Sequence, residues 1–385
     1  MSDGPDAHPR LDELFRAWDR ERLAWCLLRG EAELDRPTGD VDILVAPADA
    51  ERLRATAGRL GFARLPAPGH ATHRFLIAYD GATDTWLKLD VVTELAFGPS
   101  FAYRLPSVAT GSCLDRRSRI GSAYALDPHD GFWAGLLHGL LDKPRIEDAE
   151  IARLQGMAEP AREVGPLARA VARLLPTGWS TDAVIDAVVA DDRDGLAAVA
   201  AGLARSWRRR SPVGTTARRI DAGVRRRAGR AARVRHPRGL EIVVAGDPDL
   251  TRRLADGLRH DVPMPVRIVA RPAGPASMAT RVRTSVQVGS GLVVRCVPTG
   301  TDPLGTSSAP RPDLVIVLRP GGSDALVDDR APADGGGSVD ARSGSAATRI
   351  LDVSRPEADL ARDVSGLVWE RLAARWDALE GGRPR

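Results

Sequence analysis

Strand-forming runs of apolar and β-branched residues occur in two separate parts of this chain. The first part holds the runs 24–28, 40–46, 73–79 and 85–92, and the second holds LEIVVAG (240–246), VRIVA, LVVRCV and DLVIVL. Between them, residues 127–205 carry an Ala- and Leu-rich helical pattern. Strands that alternate with helices predict an α/β class. Because 385 residues suffice for two or three domains, we expect an α/β multi-domain protein.

This pattern predicts three domains. An α/β core occupies residues 1–105, a helical region with an Arg-rich linker occupies 106–236, and a second α/β domain occupies 237–385. An amphipathic helix is expected to run from residue 10 into the first strand, and further helices are expected at 48–60, 131–142, 249–259 and 356–379. Residues 299–312 and 320–347 are rich in Gly, Ser, Asp and Pro and are predicted to be loops.

The composition argues against a secreted or membrane-spanning protein. No apolar run reaches the roughly 18 residues that cross a bilayer, and the N-terminal MSDGPDAHPR has no apolar signal segment. The three cysteines, Cys26, Cys113 and Cys296, lie far apart and form no metal-binding pattern. We therefore expect a cytoplasmic protein without a membrane span. The net charge of +4 comes almost entirely from arginine, since Lys88 and Lys143 are the only lysines.

The strongest chemical signal is Asp40-Val41-Asp42 at the start of a predicted strand, nine residues after Arg29-Gly30. Successive side chains of a strand alternate faces, so Asp40 and Asp42 share one face while Val41 points into the core. An isolated pair of this kind is more often a strand start with a solvated face. Two carboxylates so close repel each other unless a cation lies between them, and Mg²⁺ or Mn²⁺ accepts such oxygen ligands.

A third carboxylate, Asp90, lies on a later predicted strand, and Lys88 shares its face by the same alternation. Three carboxylates with two metal ions can activate a hydroxyl and stabilise a leaving pyrophosphate. Asp40 and Asp42 would bridge the metals to a triphosphate, and Asp90 would hold the metal that activates the acceptor. Lys88 would neutralise phosphate charge, and the backbone at Gly30 would approach phosphate oxygens. We predict that the three carboxylates converge.

On these residues, segment 27–98 resembles the polymerase-β-like nucleotidyltransferase superfamily, most nearly its minimal bacterial group found near polysaccharide-synthesis functions. That superfamily has a Gly-Gly or Gly-Ser pair, a spacer, an Asp-x-Asp or Asp-x-Glu pair and a later strand-borne Asp. The positions of Gly30, Asp40, Asp42 and Asp90 match this pattern, whereas Arg29 stands where the first glycine would be. The resemblance implies an α/β nucleotidyltransferase core. Arg29 departs from the pattern, and its guanidinium would contact phosphate in place of the missing glycine.

Two histidine-containing segments are candidates for further contacts in the predicted site. His70 and His73 have a spacing that permits metal binding, but without a third ligand nearby a loop followed by a strand is favoured. His73 begins the strand before Asp90 and so could line the cleft. His138 and Asp142 lie within about a turn of each other near a helix end. That end is either a simple amphipathic helix terminus or a nucleotide or acceptor contact from a helical domain that closes over the core.

The segments 239–246 (GLEIVVAG), 310–318 (PRPDLVIVL) and 349–354 (RILDVS), with a helix after the last, resemble the thymidylate-kinase branch of the P-loop fold. The resemblance implies a three-layer α/β domain. A working loop reads G-x-x-x-x-G-K-[ST], whereas this loop has neither the second glycine nor the lysine. Asp247 and Asp249 place negative charge where phosphate would lie, and Arg252 is a poor substitute for a lysine. We predict a kinase-like domain that has lost its chemistry and does not bind ATP.

The most basic stretch, 205–238, contains thirteen arginines against one acid, with one aromatic residue, Trp207. It is either a solvated connecting helix, which is favoured, or a surface for nucleic acid or anionic lipid. The leading hypothesis for the protein is a metal-dependent enzyme that transfers a nucleotidyl group from an NTP to an unidentified hydroxyl or phosphate acceptor, linked to cell-surface polysaccharide synthesis. One alternative is a non-catalytic nucleotide-sensing or scaffold protein, and another is a nucleic-acid binder, which the scarcity of aromatics disfavours.

Overall fold

A computed structural model describes residues 7–65, 73–163, 165–235, 239–270, 291–298, 312–320, 326–327 and 347–381. The chain divides into two compact units, Met1–Leu76 with Lys88–Arg227 and Ile77–Leu87 with Ala228–Arg385. Both are mixed α/β, as the sequence predicts. His70 and most of the two loops predicted at 299–312 and 320–347 lie outside the described residues.

The first sheet has seven strands in the order β3-β4-β5-β2-β1-β9-β8. Their bounds are β1 Trp25–Arg29, β2 Asp40–Val45, β3 Ala63–Leu65, β4 Arg74–Asp80, β5 Thr85–Val92, β8 Ser118–Ile120 and β9 Ala123–Ala125, and a separate hairpin pairs β6 Ala96–Phe97 with β7 Tyr103–Arg104. The strands predicted at 24–28, 40–46, 73–79 and 85–92 are thus confirmed within a residue or two. Val41 and Ile43 are buried, as strand alternation requires.

Ten helices carry the rest of the described N-terminal chain: α1 Pro9–Arg20, α2 Ala50–Arg59, α3 Ser107–Arg116, α4 Pro128–Leu141, α5 Asp148–Gly156, α6 Ala158–Ala161, α7 Pro166–Ala172, α8 Thr181–Val189, α9 Arg193–Arg210 and α10 Pro212–Arg235. Helix α4 is almost wholly buried, because its apolar residues surround the axis and it packs among the other helices. A single apolar core joins Cys26, Leu44 and Val92 of the sheet to helices α3 through α9. Residues on both sides of the predicted boundary at 105 therefore share one core.

The second sheet lies in the C-terminal unit and has the order β11-β12-β10-β13-β15-β14. Its strands are β10 Leu240–Gly246, β11 Val266–Ala270, β12 Leu292–Pro298, β13 Leu314–Arg319, β14 Leu326–Val327 and β15 Ala347–Asp352. The pairs β11–β12, β12–β10, β10–β13 and β13–β15 are parallel, and β14 alone runs antiparallel to its neighbour. Strand β10 is buried along its whole length because it lies in the middle of the sheet.

Helix α11 (Pro248–Asp261) follows β10, and a last helix, α12 (Glu357–Gly381), follows β15. Asp313, just before β13, links three elements of this unit at the amino-terminal end of the sheet. Its carboxylate accepts hydrogen bonds from the Glu241 backbone N–H at 2.8 Å and from the Arg375 guanidinium at 2.6 and 3.0 Å. The aspartate of the Pro-Asp-Leu segment therefore fastens β13 to β10 and to α12. No helix in the described part of the chain is long and apolar enough to cross a membrane.

Candidate active site

The parallel pairing of β2 with β5 brings the predicted carboxylates together. Asp42 lies directly opposite Asp90, and Asp40 lies opposite Lys88. Residues opposite each other on neighbouring strands point to the same face of a sheet, so both carboxylates project from one side. The local alternation of each strand was visible in the sequence, whereas the register between the strands was not.

These side chains line one cleft of about 780 Å³ in the N-terminal unit. The charged and histidine side chains that line it are Arg29, Asp40, Asp42, His73, Lys88, Asp90, Glu94, His138 and Asp142, of which the last two lie at the end of α4. Every predicted site residue except Gly30 thus lines the cleft. Gly30 instead adopts φ +83° and begins a short 3-10 turn at Glu31–Glu33, not an α-helix.

Each of the three carboxylates has a basic partner. Asp40 pairs with the Lys88 ammonium at 2.9 Å, Asp42 with the Arg29 guanidinium at 2.5 Å, and Asp90 with the His73 imidazole at 2.8 Å. Asp42 is 7 % exposed and Asp90 9 %, whereas Asp40 is open to solvent at the cleft edge. Buried carboxylates require such partners, because an unpaired charge in a low-dielectric interior is costly.

A register shift in β1 places Arg29 against Asp42. Leu27 pairs with Ile43, but the next pairing joins Arg29 to Asp42, so Leu28 is the extra residue of a β-bulge. Burial raises the pKa of the Asp42 carboxyl above its usual value, and the lowering effect of the Arg29 guanidinium does not cancel that rise. Regular alternation would have put Leu28 opposite Asp42, and nothing in the sequence marks the bulge.

His73 is a site residue whose partner the sequence did not identify. Its Nδ1 atom lies 2.9 and 2.8 Å from the two oxygens of Asp90, and its ring lies against Phe101 with centroids 3.9 Å apart. The position of His73 at the start of the strand before Asp90 predicts a cleft residue. The contact with Asp90 needed the sheet, and the other histidine of that pair, His70, is outside the described residues.

The hairpin of β6 and β7 forms a wall of the cleft, and its tip has an unusual backbone. Gly98 has φ +76° and ψ −174°, a conformation open to glycine almost alone, and Ser100 and Phe101 also have positive φ. A side chain at Gly98 would meet the Tyr103 ring at 2.2 Å. The Gly98 N–H donates to the Asp142 carboxylate at 2.6 Å, and that carboxylate also contacts His138 at 2.9 Å. The α4 end therefore fixes the wall that holds Phe101 over His73.

The C-terminal unit has a second place where a ligand is expected on topological grounds. The sheet order puts β11 and β12 on one side of β10 and β13 on the other, so the carboxyl end of β10 is a switch point, where open α/β sheets bind ligands. There, however, the Asp247 carboxylate accepts hydrogen bonds from the N–H groups of Asp249 and Leu250 at 3.1 and 2.9 Å. The chain's own carboxylate caps α11 at the position where a phosphate would bind.

Comparison of the chain with protein-family models, with curated proteins and with solved structures gave no match. Among the residues that the structure describes, no set of three or more His, Cys, Asp or Glu side chains is placed to hold a metal ion. The metal site built on Asp40, Asp42 and Asp90 therefore stays a prediction, and the functional inference depends on the geometry of the cleft.

Proposed function

We propose that the N-terminal unit transfers a nucleotidyl group from an NTP to a hydroxyl or phosphate acceptor with the help of Mg²⁺ or Mn²⁺. The observation that carries this proposal is the pairing of Asp42 with Asp90 in register on adjacent parallel strands, beside Asp40 and Lys88 in one cleft. Adjacent buried carboxylates backed by two cationic side chains are suited to a substrate that brings both divalent cations and phosphate.

The reaction forms one bond and breaks one. An acceptor oxygen attacks the α-phosphorus of the NTP, the bond from that phosphorus to the bridging oxygen breaks, and pyrophosphate leaves with the electron pair. A hydroxyl acceptor also loses its proton, which the Asp90 carboxylate, paired with His73 on the cleft wall, would accept. The cations Arg29 and Lys88 would bind the triphosphate oxygens and neutralise the pyrophosphate as it forms.

The donor set suits a divalent cation in kind, because carboxylate oxygens are the ligands that Mg²⁺ prefers. When bound, the ion would supply Lewis acidity and charge neutralisation at the phosphates. Asp40 and Asp42 would hold a cation that neutralises the triphosphate, and Asp90 would hold the cation that activates the acceptor. To do so, Asp40 and Asp42 must exchange their contacts with Lys88 and Arg29 for metal contacts. The released ammonium and guanidinium would then be free to bind phosphate oxygens.

The test is pyrophosphate release by the full chain, screened with each NTP and with sugar phosphates as acceptors, in the presence of Mg²⁺ or Mn²⁺ and after chelation. Asp42→Asn keeps the size of the side chain and removes its charge, so we expect turnover to fall by about a hundredfold or more with the fold retained. Asp35→Asn is the matched control, because Asp35 is exposed and lies outside the cleft. Turnover by Asp42→Asn equal to that of Asp35→Asn would eliminate the proposal.

A second candidate function is nucleotide binding without turnover, in a sensing or scaffold protein. It is favoured by the three carboxylate–base pairs, which give Asp40, Asp42 and Asp90 partners within the protein itself. Arg29, which stands where the resembled nucleotidyltransferases have glycine, supplies one of those partners. Calorimetric NTP binding with no pyrophosphate released under any of the screened conditions would support this candidate over catalysis.

For the C-terminal unit we propose a kinase-like fold without kinase activity. The support is the central position of β10, followed directly by α11, together with the Asp247 carboxylate that occupies the N–H groups of that helix. Pro248 removes a further N–H from the turn. The C-terminal unit would then have a structural or regulatory role, while the chemistry takes place in the cleft of the N-terminal unit.

A further inference from the structure

Helix α10 is fixed to the N-terminal unit along one face. The Arg218 guanidinium donates to the Ala102 carbonyl at 3.1 Å, and Arg219 donates to the Tyr103 hydroxyl at 3.2 Å. Thr215 and Ala222 are buried on the same side. This face of α10 therefore packs against the protein, and the opposite face of the helix points toward solvent.

The opposite face carries an apolar stripe. Val213, Ile220 and Val224 are 79 %, 61 % and 57 % exposed, and they are three of the five strongly exposed large apolar residues in the described chain. Their spacing of seven and four residues puts them on one line along an α-helix, with the exposed Ala217 between them. Exposed apolar groups scattered singly need no explanation, but a line of them on one helix indicates a binding surface.

Exposed arginines precede and follow this stripe along the chain. Arg208, Arg209 and Arg210 end α9 just before α10 begins, and Arg227 continues the stripe at its other end, three residues after Val224. The nearby Arg225 pairs with Asp221, the single acid of segment 205–238. The stripe is thus apolar and has exposed arginines before and after it in the sequence.

We propose that this face of α10 docks the protein on an anionic lipid surface. Lipid supplies both complements at once, since anionic headgroups attract the arginines and the acyl boundary accepts the valine and isoleucine side chains. A second copy of the chain would set arginines against arginines in a two-fold interface. Nucleic acid would match the charge but not the apolar stripe, and Trp207, the one aromatic residue of the segment, is buried against Tyr103 and so cannot stack on bases.

The test is co-sedimentation of the full chain with vesicles of phosphatidylcholine alone and of phosphatidylcholine with about 30 % phosphatidylserine, at about 50 mM salt. We expect binding to the anionic vesicles only. Ile220→Gln with Val224→Gln should weaken the partition coefficient by about tenfold, because the apolar contribution is lost while helix propensity is kept. Arg208→Gln with Arg209→Gln and Arg210→Gln should weaken it by a similar factor, and raised salt should do the same to the unmodified protein.

The matched control is Val108→Gln with Val189→Gln, which replaces two comparably exposed apolar residues of α3 and α8 and should leave the partition coefficient unchanged. Absence of binding to anionic vesicles at low salt overturns the proposal. An Ile220/Val224 variant that binds as well as the control variant also overturns it. The same holds if duplex DNA binds the protein and the vesicles do not, or if the stripe variant instead abolishes a dimer of the unmodified chain. The salt series on the unmodified protein decides the question even if a variant misfolds.

Discussion

Replacing Arg29 with methionine tests whether the Arg29–Asp42 pair governs the charge balance of the cleft. Asp42 is 7 % exposed, and its guanidinium partner at 2.5 Å belongs to a side chain that is 31 % exposed. Removing one partner of a fully buried pair costs roughly 3–5 kcal/mol, because it leaves an uncompensated charge. Solvent reaches the Arg29 side of this pair, so we expect a smaller loss, about 2 kcal/mol at neutral pH. The double variant Arg29→Met with Asp42→Asn leaves no unpaired buried charge, so it should regain most of the lost stability.

The loss should depend on pH in a definite direction. Burial raises the pKa of Asp42, and Arg29 is the strongest influence that lowers it, so Arg29→Met raises this pKa further. When a carboxyl has a higher pKa in the folded than in the unfolded state, the folded protein loses stability as pH rises. The penalty should therefore be absent below the unfolded carboxyl pKa of about 3.9 and should grow as pH rises through the raised folded value.

The assay is hydrogen exchange measured by mass spectrometry on peptides from β2 and β5, since the chain has two compact units and a global melt would mix their transitions. Opening free energies of these peptides should fall by about 2 kcal/mol in Arg29→Met at neutral pH and return in the double variant. Unchanged exchange in the single variant, or a double variant as labile as the single one, would refute the reasoning.

Three further results are expected. Gly98→Ala should lower the opening free energy, measured by hydrogen exchange on peptides from β6 and β7, by about 3 kcal/mol, because a Cβ there lies 2.2 Å from the Tyr103 ring and the backbone is restricted to glycine. Gly30→Ala, at positive φ in open space, should lower that of peptides from β1 by about 1 kcal/mol. Equal losses would contradict this. Lys88→Met should weaken NTP binding, measured by calorimetry, by about tenfold. The stability of the protein should change by about 1 kcal/mol or less, because the ammonium pairs with an exposed carboxylate. Unchanged affinity would exclude a phosphate contact. A photoreactive azido-ATP probe should leave residues 246–254 unlabelled, because Asp247 occupies the helix N–H groups there, and efficient labelling would move the nucleotide site to this loop.

The sequence determined the local elements of both units and the faces of individual strands. Alternation along 40–46 and 85–92 placed Asp40 with Asp42, and Lys88 with Asp90, because side-chain direction in a strand is a property of the strand itself. The order of strands and helices gave the mixed α/β class for the same reason, since hydrophobic periodicity is local. The absence of a G-x-x-x-x-G-K-[ST] pattern after β10 was equally legible, as it depends only on which residues follow the strand.

Tertiary structure alone decided which of these residues meet. The register that sets Asp42 opposite Asp90, the bulge at Leu28 that turns Arg29 onto Asp42, and the contact of His73 with Asp90 all join segments far apart in sequence. Such contacts result from packing of the whole sheet, which no short window of sequence encodes. The same holds for α10, whose arginines were plain in the sequence. Only the packing of its opposite face showed that Val213, Ile220 and Val224 remain exposed. The sequence of this helix does not by itself show which of its sides the protein will cover.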